Sequence, residues 1–201
     1  MSKGKFIVID GLDGAGKTSS IEYLREHLPK DVVFTKEPGG TPFGETMRKI
    51  LKEEQHDPLT ELFLFCADRR EHMKNVIIPA LEGGHDVICD RFMSTTYAFQ
   101  IYGKGNMHLD PLFWDLHEAI LKGYSPDLYL FVTISPEIAR TRMKKRISMD
   151  HFEKDMEFQA RAREGFALFF KKVKMKEVDG GKDLLEMQKD VLGLVKDALR
   201  S

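Results

Sequence analysis

The run Gly11-Leu12-Asp13-Gly14-Ala15-Gly16-Lys17-Thr18 fits G-x-x-x-x-G-K-[ST] at every fixed position, and Ser19 follows it directly. That spacing turns successive backbone N–H groups inward around phosphate oxygens and opens a helix whose N-terminus favours an anion. Lys17 is placed to reach the β- and γ-phosphates, and the Thr18 hydroxyl to sit on Mg²⁺. An apolar run, Phe6-Ile7-Val8-Ile9, stands immediately before the loop. A buried strand feeding a glycine-rich turn and a helix is the context this motif needs. We therefore expect binding of a nucleoside triphosphate with Mg²⁺, which leaves open what receives the phosphate.

Further polar clusters could form the acceptor side. Glu37-Pro38-Gly39-Gly40-Thr41-Pro42, leading to Arg48, reads as a loop at the carboxyl end of a strand, where ligands sit in open α/β sheets. In Leu64-Phe65-Cys66-Ala67-Asp68-Arg69-Arg70-Glu71-His72, Phe65 and Arg69 are four apart and share a helix face. A ring and a guanidinium on one face can stack on a base and hydrogen-bond it, although a core aromatic beside a snorkelling arginine is the plainer reading of those two residues alone. Asp90-Arg91 closes the apolar run Val87-Ile88-Cys89. Asp90 can help hold a metal or its waters and Arg91 can grip a phosphate; a buried ion pair is the alternative. Thr95, Thr96, Phe99 and Gln100 follow at spacings that suggest a common helical side. The basic run from Arg140 through Arg142 to Arg146 is either a solvated helix face or a lid over the phosphates.

The elements that must position these groups follow from hydrophobic patterning. Apolar, β-branched runs at 5–10, 31–35, 86–90 and 127–133, with a weaker one at 173–178, read as strands. Helical patterns cover 17–28, 58–81 with a kink at Pro79, 94–102, 111–122, 136–145, 153–172 and 183–199. Such alternation implies an α/β fold with a parallel sheet covered on both faces. With no repeat, low-complexity tract or linker, one domain over 1–201 is the economical reading. The 31 Lys+Arg nearly balance the 32 Asp+Glu, so no basic excess points to nucleic acid as a partner. Cys66 and Cys89 lie in apolar runs without metal-type spacing and read as buried thiols in a reducing compartment. No stretch approaches membrane-spanning length and no apolar leader is visible, so we expect a cytoplasmic protein without a membrane partner.

Taken together, the P-loop, the Glu37-Pro38-Gly39-Gly40-Thr41 loop, the Phe65/Arg69 helix and Asp90-Arg91 with Ala98-Phe99-Gln100 resemble the thymidylate kinase family. Ser125-Pro126-Asp127-Leu128 and the segment Phe158–Phe166 extend the likeness over nearly the whole chain. The resemblance implies a P-loop NTPase, three-layer α/β/α, with a five-stranded parallel sheet and a helical lid at about 140–153. It implies transfer of the ATP γ-phosphate to dTMP. In that comparison Gly11, Asp13, Gly14, Ala15, Gly16, Lys17, Thr18, Ser19 and Arg142 serve ATP. Phe65 stacks on thymine, Arg69 donates to a base carbonyl, and Gln100 with Thr96 completes the hydrogen bonding. Arg91, helped by Arg48, holds the acceptor phosphate, and Asp13 bonds the sugar 3′-hydroxyl. Glu37 and Thr95 border the same site. Phe99 stands where the family usually has tyrosine, against the 2′ face of the sugar. Thr18 and Asp90 hold Mg²⁺. A homodimer is implied as well, with the 58–81 helix and its neighbours at the interface.

Gly14 in the P-loop places the chain in the family's design that carries its catalytic arginines in the lid. The common lid arginine is His151 here, so Arg146 is expected to take over its role of neutralising the transferring phosphoryl, a role worth roughly 10³–10⁵ in rate in P-loop systems. The segment between Arg146 and Asp150 is also shorter than usual. Ser94-Thr95-Thr96 replaces a common Asp-Ser-Ser, and Ile101 a common glycine. These changes flank the base pocket and raise a wider preference, for dUMP or another 5-substituted deoxyuridylate. Two other readings compete. One is a deoxynucleoside kinase with Glu37 as base on a sugar hydroxyl. The other is a nucleotide-binding regulatory protein without turnover, suggested by His151 alone.

Overall fold

A computed structural model of the chain describes residues 3–143 and 156–200. Arg146 and His151, with the part of the expected 140–153 lid from 144 onward, lie outside the described residues. Those described form a five-stranded all-parallel sheet of β1 (Phe6–Gly11), β2 (Val33–Lys36), β3 (Val87–Asp90), β4 (Leu128–Thr133) and β5 (Met175–Asp179), in the order β2-β3-β1-β4-β5. All five expected strands are present, with bounds shifted by at most two residues.

Period-two alternation sorts the strand side chains into two cores. Phe6 and Val8 of β1, Val87 and Cys89 of β3 and Tyr129 of β4 face one side. There they pack on α3 (Pro58–His72), α5 (Met93–Thr96), α6 (Asp110–Leu121) and α8 (Met156–Phe170). Ile7, Ile9, Ile88, Leu128, Leu130 and Val132 face the other side, against α1 (Lys17–His27), α7 (Pro136–Met143) and α9 (Leu184–Arg200). Both cores are continuous with the strands that end in site residues. The polar ends Asp10, Lys36 and Asp90 therefore lie together at the sheet's carboxyl edge, where Asp90 pairs with Lys36 of β2 and with Ile9, the residue before Asp10, of β1.

Three local expectations need correction. A helix the sequence reading omitted, α2 (Pro42–Glu53), starts right after the Gly39-Gly40 turn. Thr41 caps it, its hydroxyl accepting from the Gly44 amide at 3.0 Å, and Pro42 occupies the first turn where its missing N–H costs nothing. Arg48 thus stands on a helix rather than in a loop. The 58–81 segment is interrupted not at Pro79 but just before it, by a π-helical turn at Met73–Ile77 that leads into α4 (Ile78–Glu82). Proline at 79 removes an amide and crowds the carbonyl one turn earlier, and the widened turn absorbs both effects. Likewise, α5 gives way to a π-helical turn at Tyr97–Gly103. Cys66 and Cys89 are free and buried, as expected. Among the described residues no helix is long and apolar enough to cross a membrane.

Candidate active site

The strand-to-helix turn places the P-loop at the edge of the sheet. Gly16 adopts φ 101°, a left-handed conformation that glycine enters without strain, and it opens α1. A cleft of about 230 Å³ lies above the loop. Its wall is formed on one side by Asp13, Gly14, Gly16, Lys17, Thr18 and Ser19, and on the other by Lys36, Glu37, Arg48, Asp90 and Arg91. The structure thus brings together the two halves the sequence separated by up to 78 positions. Gly11 and Ala15 do not line this cleft; both are buried beneath it, and Ala15 belongs to the core against α9.

Lys17 is buried, and its Nζ donates to the carbonyls of Gly11 at 2.8 Å and Leu12 at 2.9 Å. Burial, reinforced by the nearby Arg91 cation, lowers its pKa to about 8. Burial raises the Asp90 carboxyl above the usual range, and its Oδ1 has no hydrogen-bond partner among the described residues. Arg91 is in the left-handed region at φ 63°, a strained conformation for a side chain of its size. The backbone there sends the guanidinium back across the strand ends. It donates to Asp13 Oδ1, to Thr95 Oγ1 at 3.1 Å and to the Gly11 carbonyl at 3.3 Å, with the Phe99 ring 5.4 Å from its centre.

Asp10, which the sequence reading passed over, anchors this arrangement. It is fully buried and accepts from the Ser94 hydroxyl, from the Thr95 hydroxyl at 2.6 Å and from the Gly11 amide at 2.8 Å, and it lies 3.7 Å from Arg91. An acidic residue ending an otherwise apolar strand was the available signal, since a buried carboxylate needs several partners.

The acceptor-side residues assemble around a second buried pair. Arg69 is 1% exposed and Glu37 5%. Arg69 Nε donates to Glu37 Oε2 at 2.7 Å and Nη2 to Thr96 Oγ1 at 2.9 Å, while Nη1 has no partner among the described residues. His72 Nδ1 takes the other Glu37 oxygen at 2.9 Å. Both Glu37 oxygens are thereby committed. Arg69 and His72 thus fix the orientation of the carboxylate from opposite oxygens. Phe65 is half-buried one turn before Arg69 on α3. Gln100 is buried in the π-helical turn with its Oε1 unpartnered. Thr95 and Thr96, expected on one helical side, diverge: Thr95 serves Arg91 and Thr96 serves Arg69. At the opposite end of the P-loop, Arg142 donates to the carbonyls of Gly180 at 2.8 Å and Gly14 at 3.4 Å. Phe99 packs edge-on against Phe158 and Phe166 of α8, beside Arg91.

A parallel sheet of this order, with a phosphate loop after β1 and a second cationic wall across the cleft, defines a P-loop phosphotransferase. The family model described as thymidylate kinase matches residues 9–191. The chain is 40% identical to the thymidylate kinase of Caldicellulosiruptor saccharolyticus, over 94% of this chain and 96% of that one. It is 34% identical to that of Halalkalibacterium halodurans, over 99% of both chains. The crystal structure of the Ehrlichia chaffeensis thymidylate kinase superimposes with a TM-score of 0.77 at 32% identity, covering 96% of this chain and 99% of that one. The chain belongs to the thymidylate kinase family.

Proposed function

We propose that this chain, acting as one domain over residues 1–201, transfers the γ-phosphoryl group of ATP to the phosphate of dTMP, giving dTDP and ADP. The observation that carries the substrate assignment is the pair of buried, unpartnered groups at the acceptor end, Arg69 Nη1 and Gln100 Oε1. A donor and an acceptor left unpaired in the interior cost about 1–3 kcal/mol each, which a ligand with the matching pattern relieves. Thymine presents a carbonyl and an N–H on that edge; cytosine presents an amino group and a bare nitrogen, so both pairings fail. Phe65 stacks on the base, and the Phe99 ring sits against the 2′ face of the sugar.

The dTMP phosphate oxygen is already a nucleophile, so positioning and charge neutralisation suffice. Arg91 and Arg48 hold the acceptor phosphate, Asp13 takes the sugar 3′-hydroxyl, and Lys17 exchanges its loop carbonyls for the migrating phosphoryl. Arg142 holds the ATP end. Arg146 supplies the lid cation, and Arg146→Ala with turnover within about twofold of the parent would remove that role. For Mg²⁺ the donor set fits: Thr18 offers a hydroxyl and Asp90 an unpartnered carboxylate oxygen in the same cleft. Two protein oxygens suit an ion that keeps waters and substrate phosphates in its shell. Held by Thr18 and Asp90, Mg²⁺ would supply positive charge that offsets the charge of the triphosphate.

Leu59 and Phe63 of α3 and Phe43 of α2 are 39–49% exposed, and we assign this apolar strip to a homodimer interface. A single sedimenting species near 23 kDa at micromolar concentration would reject the dimer.

An ADP-release assay with ATP·Mg²⁺ and dTMP, dUMP, dCMP, dGMP, UMP and thymidine tests the reading. We expect dTMP first, and dUMP, which shares the imide edge and lacks one methyl, about 10–200-fold lower in kcat/KM. Turnover of dCMP equal to that of dTMP would overturn the base assignment, and turnover of thymidine alone would overturn the acceptor class.

A further inference from the structure

We propose that His72 is a positioning residue for base selection, acting through Glu37 on Arg69, with Thr35 as the anchor that fixes its ring. This rests on the reading of Arg69 as the base contact.

The four side chains form one buried hydrogen-bonded chain. His72 is 0% exposed; its Nδ1 lies 2.9 Å from Glu37 Oε1 and its Nε2 2.6 Å from Thr35 Oγ1. A carboxylate can only accept, so the hydrogen between His72 and Glu37 belongs to Nδ1. Nε2 faces the Thr35 hydroxyl, which can pair with it as donor or acceptor, so the ring is held at both nitrogens. The ring has no room to slide. Gly40 lies against it so closely that a Cβ there would come within 2.4 Å of Nε2.

The consequence falls on Arg69. With Oε1 held by His72, Glu37 offers the arginine a single oxygen, Oε2, which takes Nε at 2.7 Å. A carboxylate with both oxygens free prefers the two-pronged side-on geometry, engaging a second guanidinium nitrogen and turning the plane to do so. By occupying one oxygen, His72 keeps the guanidinium in the orientation where Nη2 reaches Thr96 and Nη1 is left to donate elsewhere. His72 thus keeps a donor free for the base carbonyl. It touches no reacting atom, and the ATP side of the cleft should not sense its loss.

Steady-state kinetics on four proteins test this. His72→Gln carries its amide at the Nε2 end and leaves Glu37 Oε1 without a donor; we expect KM for dTMP to rise about tenfold, with kcat within threefold and KM for ATP unchanged. The preference for dTMP over dCMP should narrow in parallel. His72→Asn carries its amide near the Nδ1 position and should restore KM to within about threefold of the parent. Thr35→Val, on the half-buried edge strand, should raise KM for dTMP by about two- to threefold, and it carries the test if His72→Gln does not fold. The proposal is overturned if KM for dTMP stays at the parental value in His72→Gln or, where that variant does not fold, in Thr35→Val. It is equally overturned if kcat and both KM values move together, or if Asn rescues no better than Gln. A parent protein that fails to phosphorylate dTMP would overturn the functional reading and this one with it. Parental turnover with unchanged variants would overturn this one alone.

Discussion

The donor and acceptor ends of the cleft are organised on different principles. At the donor end, the loop residues Gly11–Ser19 are consecutive, and Lys17 is held locally by the carbonyls of Gly11 and Leu12, six and five residues away. At the acceptor end, the groups around Glu37 are held by distant ones. Arg69 reaches Glu37 across 32 positions and Thr96 across 27, and His72 reaches Glu37 across 35. On the function proposed above, the first arrangement serves the nucleoside triphosphate and needs a strand and a helix on either side. The second would select the base, and it exists only once β2, α3 and α5 have packed. Removing a donor-end side chain should therefore cost rate, whereas removing an acceptor-end side chain should cost stability and affinity together.

Lys17→Met gives the largest effect. It removes one preorganised cation from the migrating phosphoryl, and we expect kcat to fall about 10²–10³-fold with KM for dTMP changed by less than threefold. Folding stability should hold or rise, because the burial that lowers the Lys17 pKa to about 8 marks a cation whose charge the folded state disfavours. Arg69→Met should behave in the opposite way. It leaves Glu37 buried with one partner fewer, a change that costs about 3–5 kcal/mol, read as a lower midpoint in urea with an unchanged slope. If both variants lost activity without losing stability, the contrast between the two ends would collapse. Phe65→Ala sharpens it at smaller scale: loss of a stacking ring worth about 1–3 kcal/mol should raise KM for dTMP tenfold or more while leaving KM for ATP alone.

The same contrast explains what the sequence disclosed. The P-loop, five strands, both cores and the pairing of Phe65 with Arg69 on one helix face follow from short-range spacing, and all are present. Helix α2 was hidden because its amphipathic stretch begins at a Pro-Gly-rich turn, where Thr41 as a cap and Pro42 in the first turn were the local marks. The two π-helical turns leave no periodic trace, since one extra residue per turn merely shifts the apolar stripe. Asp10 and His72 were passed over for a further reason. Asp10 ends a strand already explained by hydrophobic burial, His72 closes a cluster already explained by Phe65 and Arg69, and their partners lie 84 and 35 positions away. Contacts of that separation are created by packing and carry no signature in spacing.

The smallest effect concerns Asp68, the neighbour of Arg69 on α3. Burial first, and the Glu37 carboxylate second, raise its pKa to about 6, against the opposing pull of Arg69 and His72, and its Oδ1 is buried without a partner. Its folded-state pKa therefore lies above the unfolded value near 3.9. The folded protein binds this proton more tightly between those limits, so the group's contribution to stability is lost as pH rises through about 6 and returns as pH falls toward 4. Asp68→Asn keeps the shape, which matters because the α2 backbone at Gly44 presses on Oδ1, where a Cβ would come within 2.2 Å. We expect the variant to melt at a higher temperature than the parent at pH 8 and to converge with it at pH 5, measured by thermal unfolding at both pH values. Lys17 titrates on the other side of neutrality: its cation is lost as pH rises through about 8, and kcat/KM for ATP should fall there. An alkaline limb confined to activity beside a near-neutral transition confined to stability would assign one titration to each end of the cleft. A melting difference that did not change between pH 5 and pH 8 would show that Asp68 is ionised in the folded and unfolded protein alike over that range, so that burial does not raise its pKa and the acceptor end carries two buried carboxylates, Glu37 and Asp68, against Arg69.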